Sequence, residues 1–167
     1  MPRFPLEYFP QLGFHKGSGK RWFGAPRDGG ERQHAGCDLV AKSGTPVYAV
    51  AGGTVLRKVY FYSGTYELQV DHTFFIARYG EISNELAEGV EEGKPVYEGQ
   101  RIASIGLNNA GTAMLHFEMY KGTSHGYLTQ TWNKSYDYVE GSKYKRRPDL
   151  LNPTPFLEEW AMTTGVF

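Results

Sequence analysis

The segment Met114–Tyr120, with the sequence MLHFEMY, predicts a β-strand around which the rest of the chain is organised. Successive side chains of a strand point to opposite faces. One face therefore has Leu115, Phe117 and Met119, which are all apolar and are expected to pack into a core. The opposite face has His116 between a thioether and a carboxylate. This strand is thus expected to separate a core from a polar surface.

A second group of metal-ligand residue types lies far upstream, in the segment HAGCDL at residues 34–39. On a strand, His34 and Asp38 share one face, while Cys37 points the other way, into the core. Together with His116 they supply two imidazoles and one carboxylate, which match a catalytic zinc site with water in the fourth tetrahedral position. The residues therefore indicate a site for one Zn²⁺ ion.

Composition limits the function classes that need to be considered. A length of 167 residues suggests one domain, and 21 glycines, 12 tyrosines and 10 phenylalanines favour short strands and turns. Eighteen basic and 18 acidic residues give zero formal charge, so nothing indicates a nucleic-acid partner or an anionic membrane. The single cysteine excludes an internal disulfide. The chain has no run of 18 apolar residues, so we expect no membrane insertion.

The remaining sequence alternates between short strand patterns and turns. A short strand is expected over residues 34–40 and a hairpin over residues 66–82. Near the end, Thr154 is expected to cap a short helix whose first residue is Pro155. We therefore predict a single domain over residues 1–167, made of an N-terminal arm or loop (1–31), a β core (32–120), and a loop with a C-terminal helix (121–167).

Four ordered segments resemble a known family. HAGCDL at residues 34–39 matches an H-x-G-x-D pattern, and LHFE at residues 115–118 matches H-L-H-F-E from its second position. Between them, GTPVYAVAGGTV at 44–55 and GQRIASIG at 99–106 are similar to the family's intervening segments. In this order they resemble the lysostaphin/LytM-type zinc metalloendopeptidases of peptidoglycan.

The resemblance implies a fold, a metal site and a substrate class. The implied fold is mainly β, an antiparallel sheet or sandwich of the LytM (duplicated hybrid motif) type with loops and a short C-terminal helix. The implied ligands of one Zn²⁺ ion are His34, Asp38 and His116. The implied partner is a peptidoglycan peptide.

Two residues depart from the family pattern. Met114 and Glu81 stand where the family has its paired catalytic histidines. One interpretation is a catalytically inactive LytM-like module that binds zinc or the cell wall, or has a structural role. The other is an active endopeptidase that hydrolyses a stem or cross-bridge peptide bond, with zinc-bound water as nucleophile and Glu81 as general base. We favour the second, because a carboxylate beside zinc-bound water is the base in H-E-x-x-H sites.

Several further residues are candidates for supporting roles. Glu118 shares the metal face of its strand and could orient a ligand histidine. Met114 can only pack, because a thioether is neither an acid nor a base. Tyr66, Tyr79, Tyr62 or an arginine could stabilise the oxyanion.

The expected location follows from the implied substrate. A peptidoglycan hydrolase acts in the periplasm or cell wall, yet the N-terminus lacks the apolar region of a classical signal peptide. We therefore expect delivery by lysis, a virion or specialised secretion, as for a phage lysin or an antibacterial effector, unless the sequence is a fragment of a longer chain. The sequence does not identify a delivery or immunity partner. Aromatic residues at 127–138 are further candidates for the rim of a peptide groove, with packing as the alternative.

Overall fold

The computed structural model of the protein describes residues 1–130 and 142–166. Short antiparallel strands dominate it, as expected from the composition, and a short 3₁₀ turn (Asp28–Gly30) lies between the first two. In chain order the strands and the helix are β1 (Pro26–Arg27), β2 (Arg32–Gln33), β3 (Cys37–Val40), β4 (Pro46–Tyr48), β5 (Gly53–Tyr60), β6 (Tyr66–Asp71), β7 (Ile76–Ile82), β8 (Pro95–Val96), β9 (Arg101–Ser104), β10 (Met114–Tyr120), β11 (Leu150–Leu151) and α1 (Thr154–Thr164).

The largest β-sheet has seven antiparallel strands. Its order is β11-β10-β7-β6-β5-β8, and β3 also pairs with β10, while β1-β2 and β4-β9 form separate two-stranded ribbons. Strand β10 therefore lies between β3 and β7, with His116 opposite Asp38 on one side and Gly80 on the other. This register places the Asp38 side chain beside His116, while Gly80 leaves the space next to the His116 ring open.

The two faces of β10 differ as predicted. Leu115, Phe117 and Met119 are at most 1% exposed and belong to the main hydrophobic core, as does Cys37 on β3. Full burial of side chains of this size contributes about 1.5–3 kcal/mol each. The core thus fixes the strand and, through it, the opposite face that holds His116.

The upstream segment forms a shorter strand than predicted. The strand expected over residues 34–40 begins only at Cys37. Just before it, Gly36 runs so close to β10 that a Cβ atom there would lie 2.4 Å from the carbonyl oxygen of Phe117. This approach is open only to glycine, and it leaves His34 in an irregular connection from which its ring reaches β10.

The hairpin and the helix confirm two further predictions, with one correction. Strands β6 and β7 pair antiparallel, with Asp71 opposite Ile76. Helix α1 begins at Thr154, but Thr154 is not its cap: the Asn152 Oδ1 atom accepts from the Thr154 amide at 3.0 Å. The Thr154 hydroxyl instead lies 3.3 Å from the Cys37 Sγ atom, because the helix packs its first turn against β3.

The N-terminal segment packs on the body of the sheet. Phe4, Leu6 and Phe14 are at most 1% exposed and belong to the main core. The β1-β2 ribbon then spans residues 26–33 and crosses the boundary that we expected at residue 31. Across the two described ranges, neither α1 nor the 3₁₀ turn has the length and apolar character that crossing a bilayer requires.

Candidate metal centre

The three predicted metal ligands come together on the polar face of the sheet. The His34 Nε2 atom lies 3.1 Å from both Asp38 Oδ1 and His116 Nδ1, and His116 Nδ1 lies 2.9 Å from Asp38 Oδ1. All three side chains are buried, and their ligand atoms lie within 4.8 Å of one another. Residues separated by 82 positions in the sequence therefore present three donor atoms to one point.

The outer nitrogen of each imidazole has its own partner. The His34 Nδ1 atom lies 2.9 Å from the Trp22 carbonyl oxygen, and the His116 Nε2 atom lies 2.6 Å from Glu118 Oε2. A nitrogen that donates to such a partner leaves the other ring nitrogen with a free lone pair. In the protonation state that binds a metal, the lone pairs of His34 Nε2 and His116 Nδ1 would be directed, with the Asp38 carboxylate, at one ion.

This donor set fits a zinc ion. At Zn–N and Zn–O distances of about 2.0–2.1 Å, adjacent ligands of a tetrahedron lie about 3.3 Å apart. The observed separations of 2.9–3.1 Å are close to that value. Two nitrogens and one carboxylate oxygen also leave one tetrahedral position for water, as in catalytic zinc sites.

The charges of the cluster are strongly coupled. Burial disfavours the charged form of His116, but hydrogen bonds to Asp38 and Glu118 outweigh it and raise its pKa to about 9. Burial lowers the pKa of His34. Burial opposes ionisation of Asp38, yet its hydrogen bonds with His116 and His34 lower its pKa. Without a metal the cluster therefore holds one imidazolium beside one carboxylate, and metal binding would displace that proton.

Glu118 is the centre of a buried ionic network behind His116. Its Oε1 atom accepts from Arg78 Nη1 at 3.1 Å and from Arg146 Nε at 3.0 Å, and the Tyr120 hydroxyl also donates to it. Burial opposes ionisation of Glu118, but Arg146 and Arg78 hold its pKa well below the usual value. Glu118 is thus a fixed carboxylate that accepts from the outer nitrogen of His116.

The arginines of this network were not predicted from the sequence. Arg146 belongs to a basic run, residues 143–147, whose ordinary interpretation is a solvated face. Instead, its side chain lies beside Glu118, 28 positions away. No local sequence pattern indicates such a pair, because tertiary packing decides which residues meet across 28 positions.

A groove of about 710 Å³ opens over the three ligands. Both positions that depart from the family pattern, Glu81 and Met114, line it. Further lining side chains are Arg27, Tyr62 and Tyr127. Of the aromatic residues expected at the rim over 127–138, those at 131–138 lie outside the described residues.

Glu81 reaches the groove because of a β-bulge. Tyr66 pairs with Ile82 and Glu67 pairs with Gly80, which leaves Glu81 unpaired at φ +61°. Regular alternation would place Glu81 on the same face as Tyr79, in the core. A bulge redirects a side chain and is frequent beside active sites. A non-glycine residue at positive φ costs on the order of 1 kcal/mol or more, so this conformation is held by its surroundings.

The carboxylate of Glu81 has polar neighbours within the groove. Asn108 Nδ2 donates to its Oε1 atom at 3.5 Å, and the Tyr62 hydroxyl lies close enough to interact with it. Burial raises the pKa of Glu81, which is 4% exposed, although nearby His116 opposes the shift. The arrangement provides a carboxylate whose protonation changes closer to neutral pH than that of an exposed glutamate.

The structure removes two of the candidate oxyanion donors from the groove. The Tyr79 hydroxyl is buried in the core, where it accepts from the Val50 amide at 3.0 Å and lies 2.9 Å from His72 Nε2. Tyr66 packs its ring against Tyr60 and under Lys58, outside the lining of the groove. Tyr62 and the groove arginines remain as donors.

Sequence comparisons relate most of this chain to known proteins. The sequence profile of Peptidase family M23 matches residues 32–127, which is more than half of the chain. The chain is also 32% identical over 108 residues to the L-Ala–D-Glu endopeptidase of Bacillus subtilis (strain 168). That alignment covers 60% of this chain and 33% of the relative, so the chain spans about a third of the length of the curated protein it matches.

Solved structures share the fold. The catalytic domain of the antimicrobial peptidase lysostaphin from Staphylococcus simulans superposes with a TM-score of 0.55 at 20% identity, covering 95% of this chain and 92% of that one. CbpA from L. salivarius REN gives a TM-score of 0.57 at 21% identity, covering 96% and 98%. A zinc-containing peptidase from Vibrio cholerae gives 0.52 at 23% identity, covering 71% and 37%. These similarities confirm the predicted mainly β architecture with its short terminal helix.

Proposed function

The chain belongs to Peptidase family M23, and from that premise we propose that it is a zinc-dependent endopeptidase that hydrolyses a peptide bond in the stem or cross-bridge of peptidoglycan. The observation that supports this most directly is the convergence of three ligand atoms beneath a groove into which the Glu81 carboxylate also points. The similarity to a protein named as an L-Ala–D-Glu endopeptidase supports a cell-wall peptide as substrate. On this proposal the protein acts in the periplasm or cell wall.

His34, Asp38 and His116 would hold the ion. Their inner donor atoms face one another, and the Trp22 carbonyl and Glu118 carboxylate orient the two rings. When bound, zinc supplies a Lewis acid that lowers the pKa of a water molecule and polarises the scissile carbonyl. The groove supplies the space for an extended peptide beside the ligands.

Glu81 would transfer the proton. Its carboxylate would accept the proton of the attacking water and then return it to the leaving amine, as a general base followed by a general acid. Burial raises its pKa toward the working pH, which makes both steps favourable for one group. Asn108 and Tyr62 would keep the carboxylate aimed into the groove.

One observation favours a second candidate, an inactive module that binds zinc or the cell wall. The thioether of Met114 lines the groove at a position where the family pattern has a histidine, and it can neither donate nor transfer a proton. Against this candidate stands the strained bulge at Glu81, since strain of this kind persists mainly at functional sites.

Turnover of purified cell walls separates the two candidates. We expect the zinc-loaded protein to release new amino groups from walls, and Glu81→Gln to lower the rate by about 10²- to 10⁴-fold with zinc content unchanged. Glu88→Gln, an exposed carboxylate on the loop after β7, serves as the matched control and should retain full activity. Zinc-loaded protein that cleaves neither diaminopimelate-type nor glycine-bridged walls would favour the inactive module.

A further inference from the structure

Arg27 has an unused hydrogen-bond donor beside the metal ligands. It lies on β1 and lines the groove, with its Nη2 atom 3.5 Å from Asp38 Oδ2. Its Nη1 atom is buried and has no hydrogen-bond partner among the described residues. A buried donor without an acceptor costs about 1–3 kcal/mol, so a group left in this state calls for a role.

The residues assigned so far leave the carbonyl oxygen without a donor, since the Tyr62 hydroxyl is used by the Glu81 carboxylate. Glu81 accepts a proton and cannot stabilise an anion, and Met114 has no donor group. Charge that develops on the oxygen of an attacked carbonyl is usually stabilised by groups positioned in advance, and losing one such donor costs about 10²- to 10³-fold in rate. A residue of this groove is therefore expected to supply a hydrogen bond there.

The other arginines that line the groove have partners already. Arg78 and Arg146 bind the Glu118 carboxylate. Arg32 donates to Asp28 at 2.9 Å, and Arg57 lies over the ring of Tyr127, 5.4 Å from its centre. The Arg78 Nε atom also makes no hydrogen bond, but it forms an ion pair with Glu67 Oε1 at 3.2 Å. Arg27 differs from all of them, because its N–H without an acceptor belongs to a side chain next to a ligand carboxylate.

We propose that Arg27 is a catalytic residue whose Nη1–H donates to the carbonyl oxygen of the scissile peptide bond. This inference rests on the proposed function. As the oxygen of water bonds to the carbonyl carbon, the carbonyl π electrons move to the oxygen and the water proton moves to Glu81. Arg27 stabilises the resulting oxyanion. The carbon–nitrogen bond then breaks, the carbonyl re-forms, and Glu81 returns the proton to the amine.

The alternative role for Arg27 is to hold Asp38 in place. In that case its removal would weaken zinc binding first. If Arg27 is catalytic, removing its side chain would leave zinc in place. It would lower only the affinity for oxyanions and the rate of hydrolysis. The two roles therefore predict opposite results for zinc content and anion affinity.

Inorganic phosphate provides a probe that needs no turnover, because it is a tetrahedral oxyanion. Calorimetric titration of the zinc-loaded protein should show that Arg27→Gln weakens phosphate binding about 10- to 100-fold, with one zinc retained. Arg27→Lys keeps the charge but not the planar guanidinium, so its phosphate affinity should lie between that of the wild type and that of Arg27→Gln. Arg101→Gln, an exposed arginine on β9 that does not line the groove, is the matched control and should change affinity by less than about twofold.

Kinetics on cell-wall peptides provide the second measurement. Arg27→Gln should lower kcat by about 10²-fold or more with KM nearly unchanged. Loss of zinc from Arg27→Gln and Arg27→Lys, or wild-type phosphate affinity in both, would overturn the proposal. If the wild type binds phosphate through Arg27 but hydrolyses no wall peptide, then the proposed function fails while the anion contact stands.

Discussion

The side of the groove that holds the proposed metal ligands, here the metal-ligand side, and the side that holds the proposed base Glu81, here the proton-transfer side, are built in different ways. On the ligand side the outer nitrogens of His34 and His116 have fixed partners, and the strand register alone sets His116 opposite Asp38. On the proton-transfer side Glu81 is carried by a bulge at positive φ, and Arg27 keeps a buried donor without a partner. The first side follows the family pattern, whereas Glu81 on the second side departs from it.

This difference teaches which part of such a site tolerates change. A metal needs all of its ligands at once, so a single loss removes the ion. Proton transfer and oxyanion stabilisation need only a suitable group within reach, and different residue types can supply it. On the proposed function, a carboxylate on a bulge and a guanidinium on a neighbouring ribbon would be one such solution.

The largest expected effect comes from removing a ligand. His116→Ala should reduce zinc from about one equivalent to near zero, because two remaining ligands cannot hold the ion at ordinary free-metal concentrations. Hydrolysis of cell walls should fall to background in the same samples. Metal analysis by mass spectrometry measures the first result. His15→Ala, a partly exposed histidine near α1, is the control, and a His116→Ala protein that keeps one zinc would contradict the ligand assignment.

The next effect concerns the protonation of Glu81. Burial raises its pKa, and a general base must be deprotonated, so activity should be lost as the pH falls through that raised pKa and should be regained above it. Below the pKa, kcat/KM should drop by about tenfold per pH unit. The measurement is the pH profile between pH 4 and 9 with zinc content checked at each point. The acidic limb should disappear in Glu81→Gln, and a limb that persists there would assign the base to another group.

Tyr79 and Glu81 show where the positions of side chains can be predicted from the sequence and where they cannot. Alternation correctly placed Leu115, Phe117 and His116, because a regular strand obeys a period of two. The same rule puts Tyr79 and Glu81 on one face. Both were candidates for the groove on other grounds, Glu81 through the family resemblance and Tyr79 as a possible oxyanion donor. The bulge separates them, sending Tyr79 into the core and Glu81 into the groove. A bulge depends on how two strands pair, and the segment RYGEIS does not contain that information.

Contacts between residues that are far apart in the chain also could not be predicted from the sequence. The pairing of Glu118 with Arg146 needs the return of the chain after β10, and the free donor of Arg27 needs the geometry of the β1-β2 ribbon. The convergence of His34, Asp38 and His116 could be predicted because three residue types in a fixed order are distinctive. The arginines that support them could not be predicted, since arginine is common and tertiary packing decides its partner.

A smaller effect tests the network behind His116. Glu118→Gln removes the charge that accepts from the His116 ring, and loss of such a partner typically weakens metal affinity about 10- to 100-fold. Glu67→Gln is the matched control, because Glu67 also pairs with Arg78, at 3.2 Å, but contacts no ligand. Both variants should lower the thermal midpoint, since each leaves a buried arginine with less charge to balance it. Competition titration with a zinc chelator distinguishes them, and equal zinc affinities would show that Glu118 only stabilises the fold.

The smallest effect measures the strain on the proton-transfer side directly. Glu81→Gly and Glu81→Ala both remove the carboxylate, but only glycine adopts φ +61° without steric cost. The glycine variant should therefore be more stable than the alanine variant by about 1 kcal/mol. Thr54 on β5, which is not among the residues at positive φ, should show the opposite order, because glycine within a regular strand is less stable than alanine. Urea denaturation of the four variants gives the comparison, and the same order at both positions would mean that the bulge relaxes once the side chain is removed.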